Sequence, residues 1–380
     1  MITNVKTLPW MLPRAIVLLS AVSLSLAQEV QPVRSPEIHS DRTVIFRFPA
    51  LSANKVEVEL EGGTRLPMTR DAEGLWTVTT KPLDPDYYGY IFVVDGVRLI
   101  DPSNPSIKPN LIWLQNVVHV PGAPPTLWEV ADVPHGTLHH HFYKSGVVGD
   151  QRDYYVYAPP EYNPKAKTQY PVLYLLHGFS DDASGWTAVG KANVIFDNLI
   201  AQGKVKPMFV VMPLGYGTPE FVSTGIAAFE HNELRERNFN KFREVLLTEV
   251  MPQVEKTYRI SKDRKTRAIA GLSMGGSESL LTGLNNVDKF AYVGAFSSGG
   301  LDSNFDRDFP ALDSKTASQI RLLWIACGTD DHLITLNRQL KSWLKTKNVA
   351  FTDIETPGAH TWMVWRRNLI AFSSLLFKEK

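Results

Sequence analysis

Ser273 is the residue around which chemistry can be built. It stands in AIAGLSMGGSESL (268–280), inside the pentapeptide Gly271-Leu272-Ser273-Met274-Gly275. A serine hydroxyl is a weak nucleophile. It reacts when a sharp strand-to-helix turn projects it toward a base, and flanking glycines let neighbouring backbone come close without a Cβ clash. The apolar TRAIA before the motif and the helical pattern after it supply that context. The chemistry implied is acyl transfer through a covalent serine ester, which needs two N–H donors for the oxyanion. One is the N–H that follows the nucleophile, on Met274. The other belongs in a loop after an earlier strand, and PVLYLLHGFSDDASGW (171–186) offers Phe179 just beyond His177-Gly178. His177 is expected to buttress that loop at the edge of a substrate pocket. Trp186, Tyr216 and Trp362, which flank the motif loops, are expected to line the pocket.

The serine needs a base, and the base needs an orienting acid; behind such an elbow they follow in the order Ser, Asp, His. Only His332 and His360 come after Ser273. TPGAHTW puts His360 in a Pro-Gly loop after the strand pattern AFTDIE and before the apolar stretch WMVWRRNLIAFSSLLF. His332 directly follows an acidic pair and is badly placed to be oriented by it, so His360 is the expected base. The acid belongs to the turn after IRLLWIAC, where GTDDHL supplies Asp330 and Asp331. Neighbouring side chains point apart, so one of the two serves, and the residues alone leave the choice open. Cys327, the chain's one cysteine, ends an apolar strand pattern and reads as a buried thiol with no disulfide partner. His139, His140 and His141 suggest a metal, yet alternate strand residues face opposite ways and no further ligand follows at suitable spacing. They read as a strand with polar edges, and no metal is expected. His231 reads as exposed in a long loop.

The elements that must position these residues are legible as two patterns. Between about 40 and 120, TVIFRF, KVEVEL, LWTVTT and YYGYIFVVDG are short strand signals separated by EGG, DAEG and DPD turns, which predicts a small all-β sandwich. VPGAPPT (120–126) then reads as a boundary. From about 130, apolar strand signals alternate with helical ones such as 191–202, 242–258 and 336–346, which predicts a mostly parallel sheet with helices on both faces. Chemistry in such sheets sits at the carboxyl ends of the strands. The chain has 380 residues and a net charge of +1 from 40 basic and 39 acidic residues, so nothing favours nucleic acid as a partner. Residues 1–27 carry Lys6 and Arg14 and then the apolar AIVLLSAVSLSLA, a pattern that predicts a cleaved secretory signal, export, and no stable membrane insertion afterwards. The expected organisation is a signal at 1–27, a sandwich at 28–122, a linker at 123–133 and a catalytic domain at 134–380.

RDYYVYAPPEY, PVLYLLHGFSDDASGW, FVVMPLGYG, AIAGLSMGG, CGTDDHL and GAHTWMVWRRNL together resemble the esterase D-type α/β-hydrolases, especially the family-one carbohydrate esterases that include feruloyl and acetylxylan esterases. The resemblance implies an α/β-hydrolase fold from about 134 to 377 and a triad of Ser273, Asp331 and His360. Asp331 is chosen because it is the fourth residue of a G-x-x-D turn. It also implies removal of feruloyl or acetyl groups from polysaccharide or related sugar esters, with no cofactor. Acyl transfer to a sugar by the same triad, as in mycolyltransferases, and carbohydrate binding without catalysis are the competing expectations. YYGYIFVVDGVRLIDPSNP resembles the immunoglobulin-like early-set domains of glycogen- and starch-branching enzymes, in which exposed aromatics bind glucans. Trp76, Tyr88, Tyr90 and Trp113 are the candidates here, and packing inside the sandwich is the competing expectation for most of them.

Overall fold

A computed structural model describes residues 33–378; the expected signal at 1–27 lies outside them. Short alternating strands in the first part give two antiparallel sheets. One runs Glu37–Ile38, Val44–Pro49, Leu75–Thr79, Thr69–Arg70 in spatial order. The other runs Arg65–Pro67, Val56–Leu60, Asp86–Val94, Gln115–Val120, Ile107–Lys108, with Val97–Leu99 pairing on Asp86–Val94. The period of two is visible in Val44, Phe46 and Phe48 and in Val56, Val58 and Leu60, whose side chains meet Tyr88, Tyr90 and Phe92 in one apolar cluster.

The second part is an eight-stranded sheet of β1 (Thr137–Lys144), β2 (Gln151–Ala158), β3 (Val172–Leu176), β4 (Phe209–Pro213), β5 (Arg267–Leu272), β6 (Tyr292–Phe296), β7 (Leu322–Gly328) and β8 (Thr352–Thr356). The spatial order is β1-β2-β4-β3-β5-β6-β7-β8, antiparallel at β1–β2 and β2–β4 and parallel elsewhere. Alternate residues sort to opposite faces. Val172, Tyr174 and Leu176 join the core under α2 (Asn232–Val245), α3 (Met274–Leu284) and α4 (Ile334–Thr346). Leu173 and Leu175 join the core under α1 (Ala192–Ala201) and α5 (Trp362–Ser373). This is the α/β-hydrolase arrangement. The helix expected at 242–258 starts ten residues earlier and passes through a π-turn at Leu246–Val250 into Met251–Thr257.

Within the residues expected to be a linker, 123–133, Trp128 and Glu129 are buried, while Ala123, Pro124, Pro125, Val130 and Asp132 are exposed. Trp128 is buried in the core under α1 and α5, and the Glu129 carboxylate accepts the N–H groups of Gly122 and Thr126. Both β regions belong to one compact unit. Buried polar contacts join them: the fully buried Arg366 on α5 donates to the fully buried Asp86 at 2.6 Å, and Arg367 donates to the same carboxylate at 2.8 Å. Among the described residues no helix is long and apolar enough to cross a membrane.

Candidate active site

Four loops at the carboxyl ends of β3, β5, β7 and β8 converge. Ser273 sits between β5 and α3 with φ 52° and ψ −117°, a left-handed conformation that costs a non-glycine residue energy and is maintained by its surroundings. Its N–H bonds the Phe296 carbonyl at 2.8 Å. The glycines on either side are required by close approach. A Cβ on Gly271 would lie 2.4 Å from the Gly275 carbonyl oxygen, and one on Gly275 would lie 2.4 Å from that of His177.

His360 Nε2 lies 3.0 Å from Ser273 Oγ, and its Nδ1 lies 2.8 Å from Asp331 Oδ2. With Nδ1 protonated, the ring donates to Asp331 and its Nε2 is free to accept from the serine; this tautomer follows from the bonding pattern. Burial raises the Asp331 carboxyl, but the His360 hydrogen bond and charge and the Leu333 N–H outweigh it and hold the group below its ordinary value. Asp330 is turned away: its Oδ2 accepts the Gly358 N–H. The neighbour His332 stacks edge-on to His360 at 4.7 Å with its side chain largely exposed. Asp331, His332 and His360 have ligand atoms close enough to share an ion. His360 nevertheless has both ring nitrogens engaged, by Asp331 and Ser273, which leaves neither open to an ion.

The Met274 N–H opens α3, where no intrahelical acceptor exists. The loop bearing Phe179 passes against the serine: a Cβ on Gly178 would lie 3.3 Å from the Ser273 Cβ. His177 holds this loop. Its Nδ1 donates to the Gly178 carbonyl, its Nε2 accepts the Gly215 N–H at 2.8 Å, and burial lowers its basicity so that it stays neutral. The buttressing role is therefore visible, and direct contact with a substrate is not, since His177 is buried.

A cleft of about 760 Å³ opens over Ser273 and His360, and Phe179 and Trp362 line it. Trp186 and Tyr216 correct the sequence reading, because both are buried away from it. Trp186 donates to the Leu176 carbonyl and stacks edge-on against Trp362, while Tyr216 donates to the Asp181 carbonyl. Burying two large rings behind the loops fixes the loops and keeps both rings out of this cleft. Asp181 itself borders the cleft, and burial pushes its carboxyl up to about 7.

Other candidates found partners elsewhere. His140 pairs with Asp153 at 2.7 Å and His141 bonds the Tyr258 hydroxyl at 2.6 Å. His231 precedes α2 without a side-chain capping bond and is exposed. Cys327 is buried, and burial pushes its thiol up to about 12. Trp76, Tyr88 and Tyr90 are buried in the first β region, whereas Trp113 is 49% exposed at the cleft. Sequence reasoning missed the cleft contribution of Glu61, whose Oε1 accepts the Trp362 N–H at 2.9 Å across 301 positions of chain. No local signal marks such a contact.

Comparisons with known proteins bear on the family and the fold. Residues 145–375 match the sequence profile of the Esterase family. The chain is 31% identical over 353 residues to an endo-1,4-beta-xylanase/feruloyl esterase of Xylanibacter ruminicola, covering 90% of this chain and 46% of that one. It is 25% identical over 228 residues to an acetyl esterase of Caldicellulosiruptor saccharolyticus, covering 51% of this chain and 79% of that one. It thus spans about half the length of the first relative. Among solved structures, a ferulic acid esterase of Anaeromyces mucronatus in complex with ferulic acid superposes with TM-score 0.56 at 25% identity, over 66% of this chain and 93% of that one. The ferric enterobactin esterase of Salmonella typhimurium shares the fold over 90% of this chain and 95% of its own, with TM-score 0.63 and 17% identity.

Proposed function

Since this chain belongs to the Esterase family, we propose that it is a serine carboxylic-ester hydrolase that removes feruloyl or acetyl groups from sugar esters. The observation that carries this reading is the Ser273–His360–Asp331 relay, with contacts of 3.0 and 2.8 Å, at the floor of the cleft. His360 Nε2 takes the proton of Ser273 as Oγ attacks the ester carbonyl. Asp331, held ionised by His360 and the Leu333 N–H, keeps the imidazole in the accepting tautomer and stabilises the imidazolium. The N–H groups of Phe179 and Met274 receive the oxyanion. His360 then protonates the departing alcohol, and water, deprotonated by the same imidazole, releases the acid from the serine ester. Similarity to a xylanase/feruloyl esterase and to an acetyl esterase supports these two acyl groups.

The test is turnover of methyl ferulate and an aryl acetate by the unaltered enzyme, with product analysis in the presence of added sugar acceptors. Free acid as the dominant product is expected; acylated acceptor as the main product would move the reading to acyl transfer. We place the protein outside the cytoplasm on the basic and apolar pattern of residues 1–27. Sequencing the exported protein is expected to give Gln28 as its first residue.

A further inference from the structure

A second cavity, of about 520 Å³, stands back to back with the cleft: Arg235, Gly300 and Leu301 line both. One side of it is a face of α2, on which Arg235, Glu236, Phe239, Asn240 and Arg243 recur at helical spacing. Leu281 on α3, Asn285 just beyond that helix and the segment 300–310 complete it. Ester hydrolysis at Ser273 makes no use of this space.

Six charged side chains line the cavity, and five of them are matched. Arg307 lies 2.9 Å from Glu236 and 3.1 Å from Asp308 and also bonds Asp302, to which Arg235 donates at 3.2 Å. Arg243 is the exception. Among the described residues it holds no carboxylate, and its Nη2 donates to the neutral Asn240 side-chain oxygen at 2.9 Å. It is half-buried, and that burial lowers its basicity with no anion to offset the effect. A guanidinium withdrawn from water without a counter-charge favours an anion, and its planar fork matches a carboxylate through two parallel bonds.

The rest of the lining narrows the choice. A cation would find all three carboxylates already held. Phe239, Leu281 and Leu301 offer apolar surface that inorganic phosphate cannot use. An organic acid suits both features, with its carboxylate on Arg243 and its body along those three side chains. Organic acids are also what hydrolysis of a carboxylic ester releases.

The shared wall is tight and reaches the nucleophile. The Gly299 N–H bonds the Ser273 carbonyl at 3.0 Å. Gly300, at φ 98°, is held between Phe229 of the cleft and Phe239 of the cavity: a Cβ there would lie 2.8 Å from the first ring and 2.9 Å from the second. Arg235 donates to the Phe229 carbonyl at 2.5 Å. A ligand that presses on Phe239 and Leu301 therefore bears on the cleft without entering it.

Resting on the esterase reading, we propose that this cavity is a second binding site, for an organic carboxylate held by Arg243, and that the acid released at Ser273 slows turnover from there.

Binding is read by isothermal titration of ferulate, acetate or inorganic phosphate into enzyme whose cleft is blocked by a small alkyl phosphonate on Ser273. The unaltered protein is compared with Arg243→Gln and Arg243→Lys. Ferulate is expected to bind once per chain, at least about tenfold more weakly in Arg243→Gln and less severely so in Arg243→Lys, with acetate weaker than ferulate and phosphate weakest. In the unblocked enzyme, ferulate is expected to lower kcat for an aryl acetate in the unaltered protein and to leave it unchanged in Arg243→Gln. The kcat/KM of that variant without ferulate should stay within about twofold, which also reports a folded protein. Ferulate that does not bind the blocked enzyme, or that binds Arg243→Gln as tightly, would overturn the site, as would phosphate binding as well as ferulate. Binding with no fall in kcat would overturn the feedback. An enzyme that turns over no ester would refute the esterase reading and the feedback with it, whereas an active enzyme with no second ferulate refutes the site alone.

Discussion

Replacing Asp86 by alanine tests how the first β region holds α5, the helix that starts two residues after His360. Asp86 Oδ1 receives Arg366 at 2.6 Å and Oδ2 receives Arg367 at 2.8 Å, with Asp86 and Arg366 both fully buried. Removing the carboxylate strands the Arg366 guanidinium, which keeps only the Val189 carbonyl at 2.9 Å, the more distant Tyr87 carbonyl and the field of Glu61. Breaking a buried pair from one side costs roughly 3–5 kcal/mol. The remaining Glu61 charge puts the expected loss near the lower end, about 3 kcal/mol. Replacing both partners by apolar residues removes the stranded charge as well. Asp86→Leu/Arg366→Met should therefore lose clearly less than the two single changes added together, with a coupling of at least about 2 kcal/mol. The assay is urea unfolding at 25 °C followed by tryptophan fluorescence, for Asp86→Ala, the singles Asp86→Leu and Arg366→Met, the double variant and the unaltered protein. A cost below about 1 kcal/mol for Asp86→Ala, or additive single changes, would refute the claim that this pair ties the two regions together.

Asp331→Asn should lower kcat by about 10³- to 10⁴-fold, because the amide favours the wrong imidazole tautomer. Asp330→Asn, which alters only the Gly358 N–H contact, should stay within tenfold; steady-state kinetics on an aryl acetate distinguishes them. Asp181 gives a pH-dependent outcome. Burial raises its folded pKa to about 7 despite Lys108 and Asn110, above the ordinary carboxylate value in the unfolded chain. The folded state therefore keeps the proton longer, and stability falls as pH rises from about 4 to about 7. Asp181→Asn keeps an oxygen for the Asn110 donor and removes this loss. Relative to the unaltered protein it should gain a few kcal/mol between pH 5 and pH 8 in urea midpoints taken at both values.

What the sequence discloses follows from how local each constraint is. Ser273 is legible because the strand, the elbow and the helix all lie within one continuous stretch, residues 267–284. His360 is legible because so few histidines follow Ser273. Asp331 is not separable from Asp330 by residue type. The turn decides between them by burying one carboxylate against His360 and aiming the other at Gly358. The strands of the parallel sheet are apolar runs and are read directly, whereas the first half of α2, NELRERN, holds Leu234 as its one apolar residue and so shows no apolar period. Trp186 and Tyr216 look like pocket aromatics because they flank the motifs. Their hydrogen bonds to the Leu176 and Asp181 carbonyls turn them inward, and composition carries no sign of that. The part of the cleft around Glu61 is the least legible, because it depends on the pairing of Glu61 with Trp362, residues far apart in the chain.

The central claim is that Ser273 forms a covalent ester with the acyl group. Intact-mass spectrometry of enzyme quenched within the first turnovers on an aryl acetate, followed by peptide mapping, tests it directly. The account predicts an acetyl mass increment on the peptide containing Ser273, absent in Ser273→Ala together with turnover. An increment on another residue, or undiminished turnover by Ser273→Ala, would contradict it.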